Sequence, residues 1–386
     1  MPSFDHVAVV GAGPAGAFLS RLLSDAGFEV EVFEVLPRLA VKPCGWATPY
    51  TIESFFKVPE DAVLCEVRGY RVYVEGRVEK EGWGRKYGYI VDKEKLLEHL
   101  LEGITLRRRG VDPARLEGYD LVVDARGHVA YSGVKARALQ AIARGVSVGD
   151  GDSIEIFLES EFVGYSWVFP LGGSRVKVGV GGLAEFDVLR ARLHSLLRVL
   201  GRPQVERVEG GLVASGGLVP QGSVPRVGEA LGAVMPLSGE GIRPGMLSSL
   251  ALFRSLTTGS KFARELEKTG LPLNIRVQLA VLRRLKSLPP KGRAELFRSA
   301  PVEILECVTA GCVTPAFIVK AMARWPFFFA KLGLPARKAS RLVACCGHQG
   351  DAAVAAGDPL VDPRLRLGHR EGFVVERLKD PEHLEA

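Results

Sequence analysis

The hexapeptide Gly11-Ala12-Gly13-Pro14-Ala15-Gly16 directly follows the apolar run Val7 to Val10 and precedes apolar residues at helical spacing. Each small residue in such a turn has a task. Gly11 permits a sharp passage from strand to helix, Gly13 leaves room for a diphosphate to approach the backbone, and Gly16 lets the helix pack on the strands. Pro14 and Ala15 open that helix, whose first unpaired N–H groups and positive dipole end would face the phosphates. Glu34 closes the next apolar run (Val30, Val32, Phe33). A carboxylate there can accept from both ribose hydroxyls and would repel a 2′-phosphate. The chemistry indicated is binding of an adenine dinucleotide, FAD or NAD, rather than a Gly-rich turn without a ligand.

A second chemical group is aromatic. Tyr165, Trp167 and Phe169 alternate, so they share one side of a strand. That side can line a greasy channel or form ordinary sheet core, and the alternation by itself favours core. Arg324-Trp325-Pro326-Phe327-Phe328-Phe329 mixes basic and aromatic residues, which suits an interfacial helix at a membrane as well as a buried one. The six cysteines, Cys44, Cys65, Cys307, Cys312, Cys345 and Cys346, contain no C-x-x-C pair, so no metal site is expected. Asn274 is the sole asparagine, and such avoidance of thermolabile amides is a hyperthermophile trait. Intracellular disulfides are then permissible, with Cys307/Cys312 and Cys345/Cys346 as candidates.

The elements that position these groups begin with a βαβ unit over residues 7–34, with Gly27 as the helix stop. Short β segments are expected at Tyr70 to Val74 and Tyr87 to Val91, a helix from Lys93 to Leu101, and a buried strand with a tight turn over Leu121 to Gly127. Alternation from about 152 to 182 predicts an antiparallel sheet, and beyond 260 the chain reads as Pro-punctuated helices ending in a polar tail. At 386 residues, 47% hydrophobic and 25% charged, the chain should form two or three globular units. The net charge of +7 is scattered over every segment, so no nucleic-acid partner is expected. With neither an export signal nor a membrane-length apolar stretch, the expected location is cytoplasmic, at most lying on a membrane.

FAD is favoured over NAD by a single fingerprint, the DLVVDARG strand and turn, and a later segment from Gly228 to Ile242. Together these residues resemble the geranylgeranyl reductase family of flavoproteins. The resemblance spans roughly residues 4 to 255 and rests on five landmarks in order: the GAGPAG turn with Glu34; Lys42-Pro43-Cys44-Gly45; Asp124-Ala125-Arg126-Gly127; Tyr165-Ser166-Trp167-Val168-Phe169-Pro170; and Gly228 to Ile242. Three positions depart from the family pattern. Phe162 replaces a leading proline, Lys93 an arginine and Glu229 an aspartate, while Pro225 interrupts the apolar strand before Glu229.

The resemblance implies an α/β fold of the aromatic-hydroxylase type: a Rossmann-like FAD-binding domain from residues 1-48, 86-140 and 206-258, an antiparallel-sheet substrate domain from 49-85 and 141-205, and a helical C-terminal region with tail over 259-386. It implies reduction of isolated double bonds in geranylgeranyl chains of prenyl lipids, the archaeal lipid being favoured by composition. NAD(P)H or a ferredoxin would supply the electrons. It places Gly45, Lys93, Arg126, Glu229, Gly239, Gly241 and Ile242 with the fingerprint residues around FAD, Tyr165, Trp167 and Phe169 against the prenyl chain, and Cys44 beside the flavin as the catalytic thiol. A monooxygenase or halogenase of the same fold, and a non-catalytic flavin- or lipid-binding relative, are the competing readings.

Overall fold

The computed structural model describes residues 5–333. In chain order its strands are β1 (His6–Val10), β2 (Glu29–Phe33), β3 (Ala47–Pro49), β4 (Val63–Val74), β5 (Arg77–Val91), β6 (Thr105–Arg107), β7 (Leu121–Asp124), β8 (Lys135–Arg144), β9 (Ser153–Glu159), β10 (Val163–Pro170), β11 (Arg175–Leu183) and β12 (Gln204–Ala214). The α-helices are α1 (Pro14–Asp25), α2 (Lys93–Leu101), α3 (Phe186–Val199), α4 (Ile242–Thr258), α5 (Phe262–Lys268), α6 (Leu271–Ser287), α7 (Pro290–Ser299), α8 (Val302–Ala310), α9 (Pro315–Arg324) and α10 (Pro326–Lys331).

The expected βαβ unit forms. β1 lies parallel to both β2 and β7, and β6 extends the sheet beyond β2. α1 packs on one face of this sheet, where Val7, Val9, Val32 and Val123 are fully buried, and Val111, Leu116 and Tyr119 cover Ala8, Val10 and Phe33 on the other, which is why the strands read as continuous apolar runs. α1 and α4 approach closely over small residues: Ser249 Oγ donates to the Ala15 carbonyl (2.8 Å), and a Cβ on Gly245 would lie 3.3 Å from that of Ala15. Asp92 caps α2 by accepting from the Glu94 and Lys95 N–H groups, so the helix begins at Lys93 as its spacing predicts.

The second sheet has eight strands in the order β12-β8-β11-β10-β9-β4-β5-β3. All its pairs are antiparallel except β4 with β9. The short β segments expected at Tyr70 to Val74 and Tyr87 to Val91 belong in fact to one long hairpin, β4 and β5. Its turn is Glu75-Gly76, both at positive φ (48° and 79°), the geometry of a tight right-twisting hairpin. Three register shifts along the hairpin and the exposed, polar stretch of β5 blur the alternation that would have revealed its length. β5, β8 and β12 run through the expected boundaries at 85/86, 140/141 and 205/206, so the large sheet draws on segments assigned to both units. Pro225 has a visible effect: the segment before Glu229 forms only an isolated parallel bridge, Asp124 to Arg226, in place of a strand.

Helices α6 and α7 pack on the large sheet at β10, β4 and β9, and α5 and α8 to α10 gather around them. Asn274 on α6 accepts from the Val313 N–H (3.0 Å) and donates to its carbonyl (3.2 Å), so the sole asparagine is a buried tie between α6 and the loop joining α8 to α9. Gln278, one turn on, accepts from the Leu237 N–H (3.0 Å) and donates to the Val308 carbonyl (2.8 Å). Cys307 and Cys312 form a disulfide with Cα atoms 5.1 Å apart. The candidate pair Cys345/Cys346 lies outside the described residues. No helix among those residues is long and apolar enough to cross a membrane.

Candidate functional site

The turn between β1 and α1 shows why each glycine is needed. Gly11 has φ +114°, and a Cβ there would sit 2.3 Å from the Ala125 carbonyl oxygen. A Cβ on Gly16 would meet the Gly11 carbonyl oxygen at 1.9 Å, so this glycine is a packing requirement of the turn. A Cβ on Gly13 would meet nothing within 4 Å. Nothing in the protein demands glycine at that point, whereas a diphosphate passing the start of α1 would. Glu34 reaches back from the end of β2: its carboxylate accepts from the Ala12 N–H (3.0 Å) and the Leu36 N–H (2.9 Å), bracing the turn and standing where a ribose would lie.

From this crevice a continuous cavity of about 1410 Å³ runs past the loop after β2 and into the C-terminal helices. Its wall includes Gly11, Gly13, Pro14, Ala15, Glu34, Cys44, Gly45, Lys93, Arg126, Tyr165, Trp167, Phe169, Glu229, Gly239, Gly241 and Ile242. Of the expected site residues only Gly16 is outside the wall. The helical C-terminal region contributes a mostly apolar wall, with Leu285, Leu296, Ile304, Phe317, Phe328 and Leu332 beside the polar Glu303 and Glu306.

The aromatic residues are at once core and wall. Trp167 and Phe169 are buried and stack at 6.0 Å between centroids, with Tyr165 tilted against Trp167 at 5.5 Å. Gly179 on the neighbouring strand makes room for the indole, since a Cβ there would lie 2.2 Å from it. Gly45 does the same for Phe169, 3.0 Å away by the same measure. The Tyr165 hydroxyl donates to the Ser238 carbonyl and so ties the aromatic strand to the loop carrying Gly239 and Gly241. Burial pushes the Tyr165 hydroxyl pKa up, which keeps it a neutral donor.

Several charges lie under the same wall. Glu229 is paired with Lys42 and accepts from the Ala214 N–H (2.9 Å). Burial pushes its pKa up, but Lys42 and the hydrogen bonds outweigh this and hold the carboxyl below its usual value. Lys93 is buried and donates to the Lys42 carbonyl (2.5 Å), and burial pulls its pKa down. Arg126 forms a two-pronged pair with Asp124 (2.9 and 2.8 Å) at the end of β7. Glu240 accepts from the Arg243 N–H (2.8 Å) at the start of α4, and burial raises its pKa against the pull of Arg243. It acts as a cap for that helix.

Sequence reasoning missed Lys42, His128, Gln140, Lys177 and Glu209. Lys42 and Glu209 line the cavity, as do His128 and Gln140, while Lys177 lies fully buried behind the Cys44 turn. Lys42 alone carried a signal, as the neighbour of Pro43 and Cys44. The other four sit on strands or turns where a polar residue reads as solvent-facing.

Residues 9–63, which contain the fingerprint and Glu34, match the family described as an NAD(P)-binding Rossmann-like domain. A digeranylgeranylglycerophospholipid reductase of Thermoplasma volcanium is 24% identical over 306 residues, covering 65% of this chain and 77% of that protein. A geranylgeranyl diphosphate reductase of Synechocystis is 27% identical over 301 residues, covering 61% and 71%. The chain resembles the geranylgeranyl reductases. In three dimensions a geranylgeranyl bacteriochlorophyll reductase-like protein from Thermoplasma acidophilum superposes with a TM-score of 0.65 at 20% identity, over 85% of this chain and 98% of that one. The shared fold comprises a Rossmann-like parallel sheet, a large mostly antiparallel sheet and a helical C-terminal region.

Proposed function

We propose that the chain is an FAD-dependent reductase that saturates isolated double bonds in the geranylgeranyl chains of prenyl lipids, archaeal-type lipids among them. The observation that carries this reading is the single cavity that joins a dinucleotide crevice, a thiol and an apolar tunnel. An alkene without a carbonyl offers nothing to polarise, so its reduction needs close approach in a dry pocket. Reduced FAD, when bound, supplies the hydride.

The chain's own residues do the rest. The N-terminus of α1 and Gly13 receive the diphosphate, and Glu34 accepts from the ribose. Gly45, Gly239, Gly241, Ile242, Lys93, Arg126 and Glu229 surround the remainder of the cofactor, Arg126 through a guanidinium fixed by Asp124. Tyr165, Trp167 and Phe169 hold the prenyl chain against the reacting edge, and helices α6 to α10 exclude water from its tail. Cys44 Sγ holds the proton given to the second carbon of the alkene. Electrons arrive from NAD(P)H docking transiently or from a ferredoxin, in line with the one dinucleotide-type sheet among the described residues.

The tunnel's end also suits a membrane surface. On α10 Phe328 points inward while its neighbour Phe327 is 85% exposed, and the exposed Val319, Lys320, Arg324 and Lys331 lie on the same helical pair. The reading is tested by incubating dithionite-reduced protein with digeranylgeranyl lipid without oxygen. Mass spectrometry should show two-dalton additions. Lipid of unchanged mass, with NAD(P)H-dependent oxygen consumption instead, would favour a monooxygenase.

A further inference from the structure

Lys177 on β11 is completely buried, and its ammonium donates to the Cys44 carbonyl oxygen at 2.7 Å. The same ammonium lies 3.2 Å from the centroid of the Trp46 ring. A buried charge persists only where hydrogen bonds and charge contacts offset its lost hydration, and here both partners belong to one turn. Trp46 holds φ +67°, a left-handed conformation that bulky side chains rarely adopt and that survives only where surrounding contacts enforce it. The ammonium under its ring is such a contact. Gln140 on β8 brings a second donor to the Cys44 carbonyl (3.2 Å) and also holds Glu209 (2.5 Å).

We propose that Lys177 is the positioning residue for Cys44: clamped between the Cys44 carbonyl and the Trp46 ring, it fixes the turn that presents the thiol to the cavity. The charged neighbours are consistent with this placement. Burial pulls the Lys177 pKa down to about 7, Cys44 and Glu209 draw it up, and Lys93 and Arg207 push it further down. Near neutral pH the group therefore carries a proton for much of the time and can act as a charged donor. Val176, Val178 and Val180 pack into the core under α3, leaving Lys177 on the opposite face of the strand, toward the turn.

The inference rests on the role given to Cys44 in the proposed reduction, but its test needs no turnover. Full-length protein is labelled with N-ethylmaleimide at about pH 6.5, where the Lys177 amine is mostly protonated, and labelling is mapped by mass spectrometry. Cys65, buried and donating to the Gly151 carbonyl (3.4 Å), serves as internal reference. In Lys177→Met, Cys44 should label at least about tenfold faster, the scale of one lost hydrogen bond to a charged group, with Cys65 unchanged. An unchanged Cys44 rate overturns the proposal, and so does a parallel rise at both cysteines, which reports general loosening. Gln140→Leu removes the other donor and keeps the question answerable if Lys177→Met does not fold. It should accelerate Cys44 alone by about twofold, and no acceleration there contradicts the clamp. Should the chain reduce no prenyl lipid, the labelling result still decides this point separately.

Discussion

The Lys42 ammonium and the Glu229 carboxylate are paired in the cavity wall although 187 residues separate them in sequence. The pair joins the loop after β2 to the segment before α4, the two stretches between which a flavin would pass. Lys42→Met leaves a largely buried carboxylate, 13% exposed, without its cation, an expected loss of about 2 to 4 kcal/mol in denaturant unfolding. Adding Glu229→Gln should recover most of it. Because the Glu229 pKa is held below its usual 4.5, the unfolded chain takes up the proton first, so the pair's contribution is present above that value and is lost as pH falls through the folded one. A Lys42→Met variant whose stability matches wild type at neutral pH contradicts this.

Gly13 and Gly16 should behave differently on mutation to alanine. At Gly16 the new Cβ would collide with the Gly11 carbonyl, so Gly16→Ala should lower Tm and expression together. Gly13→Ala meets no protein atom within 4 Å and should leave the melting temperature of flavin-free protein unchanged. It should nevertheless weaken FAD binding at least about tenfold, some 1.4 kcal/mol, because the methyl group occupies the path of the diphosphate. Fluorescence titration with FAD checks this, and equal affinity would refute that use of the crevice.

What the sequence could show depended on whether a residue's neighbours were local. The βαβ unit, α2 and the aromatic strand were readable because their spacing is itself the signal. Every expected site residue but Gly16 lines the cavity, since the landmarks mark the places where the chain turns back on it. Lys177 was not readable: in Arg175-Val176-Lys177-Val178-Gly179 the valines mark one apolar face, and a lysine opposite them reads as solvent-exposed. Only tertiary contact with the Cys44 turn buries it. The β4–β5 hairpin was underestimated because its bulges and exposed face carry little periodicity.

Lys177 and His128 give the stability opposite starting points on the pH axis but the same slope. Burial holds Lys177 near 7, against 10.5 in the unfolded chain, so between these values the unfolded state binds more protons and stability rises with pH. The wild type should gain on Lys177→Met by a few kcal/mol across that window. Burial, with Lys42 adding to it, holds His128 near 4 against the usual 6.5, so stability should fall as pH drops from 6.5 to 4, and less steeply in His128→Leu. Denaturant midpoints at several pH values measure both, and parallel wild-type and variant curves would disprove them.

Phe327, 85% exposed beside basic side chains, is the expected contact with a lipid surface. Phe327→Glu should reduce flotation with anionic liposomes at least about fivefold, since it replaces an inserting ring by a charge at an anionic interface. Turnover of a detergent-dispersed prenyl lipid should persist. Undiminished flotation would place the membrane contact elsewhere.

The most direct test of the reductive reading is an anaerobic stopped-flow experiment on dithionite-reduced, FAD-loaded protein. Mixed with a lipid bearing unsaturated geranylgeranyl chains, the flavin absorbance near 450 nm should return, the lipid should gain two daltons per event, and Cys44→Ser should slow the step about tenfold or more. The fully saturated lipid should leave the flavin reduced. Equal reoxidation by both lipids, or none by either, would contradict the account.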